Sequence, residues 1–212
     1  MSLGTGRRYT TGMETRPVAP PNPPALANEI IAAEHGYIAQ TAFQANEDRA
    51  RASQYFFVTF ATLIAALLSV QIPGVNPDQL YLTFVVIFVL LAILGFITIL
   101  QLVRLRQAWL ESVRAMNQIK EQVITRDPTL ASYFRWRADT VPPAFKLRSL
   151  GFLQAVSVAL LSGLSLGAAV AFGALVRGAA VVPWGVSILT GLLCAVVLLA
   201  GGYVWPLSRA KE

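Results

Sequence analysis

Residues Leu80–Val103 read LYLTFVVIFVLLAILGFITILQLV, twenty-four consecutive positions with no ionised side chain. A helix advances about 1.5 Å per residue, so the run covers about 36 Å, more than the ~30 Å hydrocarbon thickness of a bilayer. A helix on the surface of a soluble bundle needs polar residues on its outward face, and this stretch has almost none. The solvent it is built for is lipid.

Three further runs of the same kind lie on either side, at Tyr55–Ile72, Leu150–Val176 and Ala179–Pro206. Asp78 is the only ionised side chain between Tyr55 and Val103, and Arg177 the only one between Leu150 and Leu207. Over 212 residues, 55% are hydrophobic and 13% charged, with a mean hydropathy of +0.58, which excludes an ordinary soluble domain. The expected fold is an all-α integral membrane protein whose four transmembrane helices form two short-looped hairpins. The third and fourth runs exceed the bilayer thickness and should tilt or extend into the headgroups. No apolar leader precedes the first span, which is therefore expected to act as an uncleaved signal-anchor.

Orientation follows from the cations, since Lys and Arg near membrane helices stay on the cytoplasmic side. Arg7, Arg8, Arg16, Arg49 and Arg51 precede the first span. Nine more, from Arg104 to Arg148, lie between the second and third, and Arg209 and Lys211 follow the fourth. Sixteen of the seventeen basic residues thus fall on one side, with Arg177 alone on the other. The expectation is N-in/C-in, in a plasma (inner) membrane, with both termini cytoplasmic.

The organisation read from the chain is a Pro-rich, disordered tail (1–24), a cytoplasmic amphipathic helix (25–53) and a first hairpin (54–104). A basic helix with an interfacial loop (105–149), a second hairpin (150–207) and a short tail (208–212) follow. Leu26, Ile30, Ala33 and Tyr37 fall at spacings of four, three and four, on one helix face. Leu102, Leu105, Trp109, Met116, Ile119 and Val123 follow heptad-like offsets, with Ser112 at the weak position. Both stripes leave the same hairpin on the same side, so they are expected to pair as a stalk. Association of several chains through them is the competing reading.

Asp127-Pro128 looks like a cap followed by proline at the first helical position, opening a short helix to about Ala138. Beyond it, Arg135, Trp136, Arg137, Lys146 and Arg148 interleave cations with aromatic rings. That composition suits the headgroup level of a leaflet rich in anionic lipid. Packing of the rings against the stalk is the alternative. Nucleic acid is not expected as a partner, because the charge excess already has a topological cause.

Residues able to carry chemistry are few. Gly163-Leu164-Ser165-Leu166-Gly167 matches the G-x-S-x-G of serine hydrolases, but that mechanism needs a strand-to-helix turn and a nearby base. The run lies inside a span, and the only histidine is His35, in the N-terminal helix. Gly163, Gly167, Ala171 and Ala174 read better as a small-residue face for close helix packing, with the fourth span (Gly185, Gly191) or another protomer as partner. Gln154, Ser157 and Ser165 form a polar face that could bond to neighbouring helices or line a pore. No Asp, Glu, Lys or Arg lies mid-span, as ion-coupled transport would require. The lone Cys194 admits no intramolecular disulfide. No catalytic, cofactor-binding or metal-ligating residue is expected.

The function expected from these features is that of a non-enzymatic multi-pass protein acting through helix–helix assembly. It would be an accessory subunit or homo-oligomer whose basic face contacts anionic lipid or a partner. The alternative is an oligomeric pore or membrane effector. In layout, the amphipathic helix, hairpin and long exit helix of 25–126 resemble SLATT-type two-span bacterial defence effectors, and that resemblance implies membrane disruption. The second hairpin departs from that layout. A lipid-acting enzyme using Arg135, Arg137, Asp139 or His35 comes last, with no acid–base pair in view.

Overall fold

A computed structural model describes residues 23–69, 76–138, 140–141 and 143–209. The tail before Pro23, the first inter-span turn, Asp139 and the last three residues lie outside the described residues. Helix α1 runs from Pro23 to Ser69 and α2 from Pro77 to Arg126. A 3₁₀ turn covers Pro128–Tyr133, and α3 spans Leu150–Val176. The last membrane helix is composite: α4 (Trp184–Val197), a π-helical segment (Leu198–Val204) and α5 (Trp205–Arg209). No strand occurs among the described residues, and four helices are long and apolar enough to cross a membrane. This is an all-helical, multi-pass architecture.

Helices α1 and α2 continue without a break far past their membrane segments, and they pack along each other. Helix α2 also packs on α3, and α3 on α4, so α2 and α3 form the middle of the bundle. The core contains Phe56 from α1, Ile99 and Leu102 from α2, Ala155 and Val158 from α3, and Tyr203 and Leu207 from the last helix. Leu160, Leu164, Leu189, Leu193 and Val196 are turned outward and exposed, as a lipid-facing surface requires.

The stalk pairs through a different face of α1 from the one its stripe suggests. Ile30 and Tyr37 are 60% and 68% exposed, and Ala33 is exposed too. The side chains facing α2 are instead Ile31, His35 and Ile38, followed by the buried Ala42 and Ala45, at spacings of four, three, four and three. Ile31, His35 and Ile38 share grooves with Ala115, Ile119 and Val123 of α2. This is a short antiparallel heptad seam, displaced by one residue from the apolar stripe.

Two further boundaries differ from the sequence expectation. The fourth membrane helix starts at Trp184 rather than Ala179, because Gly178 and Pro183 bracket a connection. Gly178 takes φ +82° after the α3 cap; its N–H bonds to Leu175 O (2.9 Å) and that of Ala179 to Ala174 O (3.1 Å). That pair of bonds closes a Schellman turn, whose left-handed residue favours glycine. The helix after Pro128 also stops at Tyr133 instead of Ala138, because Phe134 is extended and the following residues bond to α2.

Candidate functional site

The start of α3 and the end of the last helix lie against the middle of α1 and α2, near Arg49 and Arg106, and described residues between Phe134 and Ser149 bond to α2 there and further along it. Polar side chains of α2 hold this segment in place. Buried Asn117 donates through Nδ2 to Arg137 O (3.2 Å) and accepts from Lys120 Nζ (3.2 Å). Arg137 forms a two-pronged pair with Glu121, Nε to Oε1 at 3.1 Å and Nη2 to Oε2 at 3.0 Å. Thr140 Oγ1 accepts from Arg137 N at 2.7 Å. Further along, Arg106 donates to Ala144 O (3.1 Å) and Pro143 O (3.3 Å), and its guanidinium lies 4.2 Å from the Trp109 ring centre. Ala144, Phe145 and Val141 add apolar contact with the core.

The cations read from the sequence as a headgroup surface therefore occupy different settings. Arg135, Lys146 and Arg148 are exposed, and Trp136 is half exposed beside them. Arg137 is engaged with Glu121. The Glu121 carboxyl is held below the ordinary carboxylate range, first by the hydrogen bond from Arg137 and further by a backbone bond from Ala138. A depressed folded value means that the pairing contributes fully at neutral pH and is lost as the pH falls through that value. Glu121→Gln should therefore raise hydrogen exchange in 134–141 at neutral pH by a factor of about 2 to 5, the range of partly exposed ion pairs. The wild type should reach the same exchange, corrected for intrinsic rates, only in acid.

Gly163 and Gly167 lie where α3 crosses α4 within the same chain. A Cβ on Gly163 would collide with Gly191 O, and one on Gly191 would come within 2.8 Å of Gly163 O. One turn along, a Cβ on Gly167 would stand 2.7 Å from Ser187 O. Backbone meets backbone here, the arrangement small residues permit. Ala171 is buried on the same side, while Ala174 is half buried in the α3 cap and Gly185 has no neighbour within 4 Å. The outer side of the crossing leaves an apolar groove of about 300 Å³, bordered by Leu164, Trp184 and Leu192.

The structure does not bring Gln154, Ser157 and Ser165 together. Ser157 is exposed on the outer surface and donates to Leu153 O (3.1 Å); Ser165 is fully buried and donates to Leu161 O (2.9 Å). Ser162, which sequence reasoning passed over, is fully buried and donates to Val158 O at 2.7 Å. Such back-bonds satisfy hydroxyls within their own helix. Gln154 Oε1 and Ser187 Oγ are buried without a hydrogen-bond partner. His35 sits in the α1–α2 seam, and among the described residues no cluster of His, Cys, Asp or Glu could hold a metal ion.

Sequence reasoning also missed a cluster at the level where the membrane segments end. A Cβ on Gly151 would lie 2.9 Å from Arg49 Nη1 and 3.4 Å from the Tyr203 hydroxyl. Arg106 lies within electrostatic reach of both Arg49 and Tyr203. Burial first, and the field of Arg49 second, lower the Arg106 guanidinium from its usual value. The π-helical segment sets Tyr203 here: Leu198, Tyr203 and Leu207 are buried at spacings of five and four, so one wide turn advances the buried face by one residue. Comparison with protein-family models, curated proteins and solved structures finds no match for the chain.

Proposed function

We propose that the chain is a non-enzymatic subunit of a membrane assembly, a homo-oligomer or an accessory subunit, that associates through its stalk and rests a basic face on anionic lipid. The observation that carries this reading is the outward face of α1. Ile30, Tyr37 and Phe43 are 60%, 68% and 72% exposed. Phe43 stands about 18 Å and Ile30 about 37 Å beyond the start of the first span at Tyr55, at 1.5 Å per residue. Those positions are in water; Ile30 and Tyr37 share one face, Phe43 stands about a third of a turn round from them, and large apolar side chains left exposed there support a protein contact. The α2-facing side of the same helix is already occupied, so the exposed face is free for a second chain.

The charge asymmetry supports a cytoplasmic stalk, loop and termini, in a plasma (inner) membrane. The exposed cations Arg135, Lys146 and Arg148 then face the anionic leaflet. Purification in mild detergent followed by mass measurement tests the assembly. The wild type should run as a discrete oligomer or with a stoichiometric partner, and the triple variant Ile30→Glu, Tyr37→Glu, Phe43→Glu as a monomer. A wild-type chain that is already a lone monomer would overturn the reading. So would ion conductance through reconstituted chains, which belongs to a pore.

A further inference from the structure

We infer that Arg49, Arg106 and Tyr203, gathered against Gly151, form a binding site for the phosphate group of an anionic membrane lipid. This inference rests on the lipid-contact half of the proposed function and names the residues and the chemistry. It requires only that the cluster lie at a membrane boundary, not that a particular side be cytoplasmic.

Charge balance calls for an anion here. Arg51 is paired with Glu47 (3.4 Å) and Asp48 (3.7 Å), and Arg137 with Glu121. Arg49 and Arg106 have no carboxylate within 4 Å among the described residues, although both are half buried and Arg106 lies in the field of Arg49. Two like charges withdrawn from water are costly unless an anion joins them. The protein supplies no such anion from its described residues. The neighbouring headgroups do, since this is where the first span begins (Tyr55), the second ends (Val103), the third begins (Leu150) and the fourth ends (Pro206).

Placement of the donors favours the same ligand. Arg106 is fixed before any ligand arrives: Nε and Nη2 are tied to the carbonyls of Ala144 and Pro143, and the plane lies over Trp109. Its Nη1 edge takes no part in those bonds. Arg49 lies against residue 151, where the missing Cβ of glycine leaves the space beside its guanidinium tip. Tyr203 adds a hydroxyl donor beside that tip, and it is set there by the π-helical turn, a deviation often found at functional sites. Two guanidinium groups and a phenol make a donor set matched to a phosphate, which guanidinium grips through paired N–H groups.

Native mass spectrometry of the full chain, released from detergent after equilibration with vesicles of equal phosphatidylglycerol and phosphatidylcholine, reads the bound lipid separately from the mass of the assembly. The wild type should retain phosphatidylglycerol. Arg49→Gln and Arg106→Gln should each lower that retention about tenfold, and Tyr203→Phe should lower it several-fold. Gly151→Ala, which leaves the net charge alone but crowds Arg49, should also lower it several-fold, as should Arg49→Lys, which keeps the charge but loses the fork. Arg51→Gln should leave retention unchanged. A loss with Arg51→Gln equal to that with Arg49→Gln would overturn the site in favour of diffuse charge, as would equal retention of the two lipids by the wild type. Protection of the lipid-free chain against heat by millimolar inorganic phosphate, with no retained lipid, would move the same chemistry to a free phosphate and overturn the lipid assignment. An intact oligomer without bound lipid would defeat this inference and leave the assembly reading standing.

Discussion

Gly163→Val is expected to pull the fourth membrane helix off the third and to cost about 3 kcal/mol or more, at or above the usual range for overpacking a close contact. The new Cβ would strike Gly191 O and sit 3.0 Å from Ala195 Cβ and 3.2 Å from Ala195 N. The struck atoms include backbone, which cannot swing aside as the end of a flexible side chain can. Moving α4 outward relieves the clash but forfeits the close approach at Gly167 as well, where Ser187 O is the neighbour. In lipid that loss is not made up by apolar burial, because contact among small residues is what holds two membrane helices together. Gly185→Val, on the facing helix α4, is the control. Nothing lies within 4 Å of its Cβ position, so its effect should stay within about 0.5 kcal/mol. Unfolding midpoints in micelles decide the matter, and equal midpoints for Gly163→Val and wild type would remove the crossing.

The membrane helices were legible because hydrocarbon imposes length and charge rules that act residue by residue. The uninterrupted run at Leu80–Val103 and the limits Leu150–Val176 need no tertiary information, and α3 has those limits. The phase of packing was not legible in the same way. On α1 the stripe read from the sequence is Ile30, Ala33 and Tyr37, yet the seam uses Ile31, His35, Ile38, Ala42 and Ala45. Close approach to α2 favours small side chains, so the most buried positions of the seam are Ala42 and Ala45. On the last helix, regular α-helical spacing from Ala195 and Leu198 leads to Gly202, whereas the π-helical turn brings in Tyr203. A one-residue change of phase leaves composition untouched and moves a side chain from one face to another. The Arg49–Arg106–Tyr203 cluster joins residues from three distant segments, and its one local signal, glycine at 151 just inside a helix start, is also what a plain helix end can show. The exposed cations of the loop were visible as charges, but the engagement of Arg137 with Glu121 depends on how the loop folds back.

Gly95→Ala offers the sharper test of how the middle of the bundle is packed, because a second substitution should reverse it. A Cβ on Gly95 of α2 would overlap Ser162 Oγ of α3, lie 2.8 Å from Ser162 Cβ and reach within 3.3 Å of Phe56 Cε2 of α1. The serine hydroxyl is tied to Val158 O and fully buried, so moving it aside breaks that bond in a packed interior. The single change should cost about 2–3 kcal/mol. Ser162→Ala on that background removes the oxygen but leaves the Cβ contact at 2.8 Å, so it should recover only part of the loss. Ser162→Gly removes both atoms. The pair Gly95→Ala, Ser162→Gly exchanges a glycine between facing helices and should return to within about 1 kcal/mol of wild type, the residual being of the order of one glycine in a helix. Ser162→Gly alone opens a void and should destabilise, so the cycle should give a coupling of about 2 kcal/mol or more, which only residues in contact show. Additive effects of the two substitutions would mean that α2 and α3 do not meet at these positions, and the three-helix junction with Phe56 would fail with them.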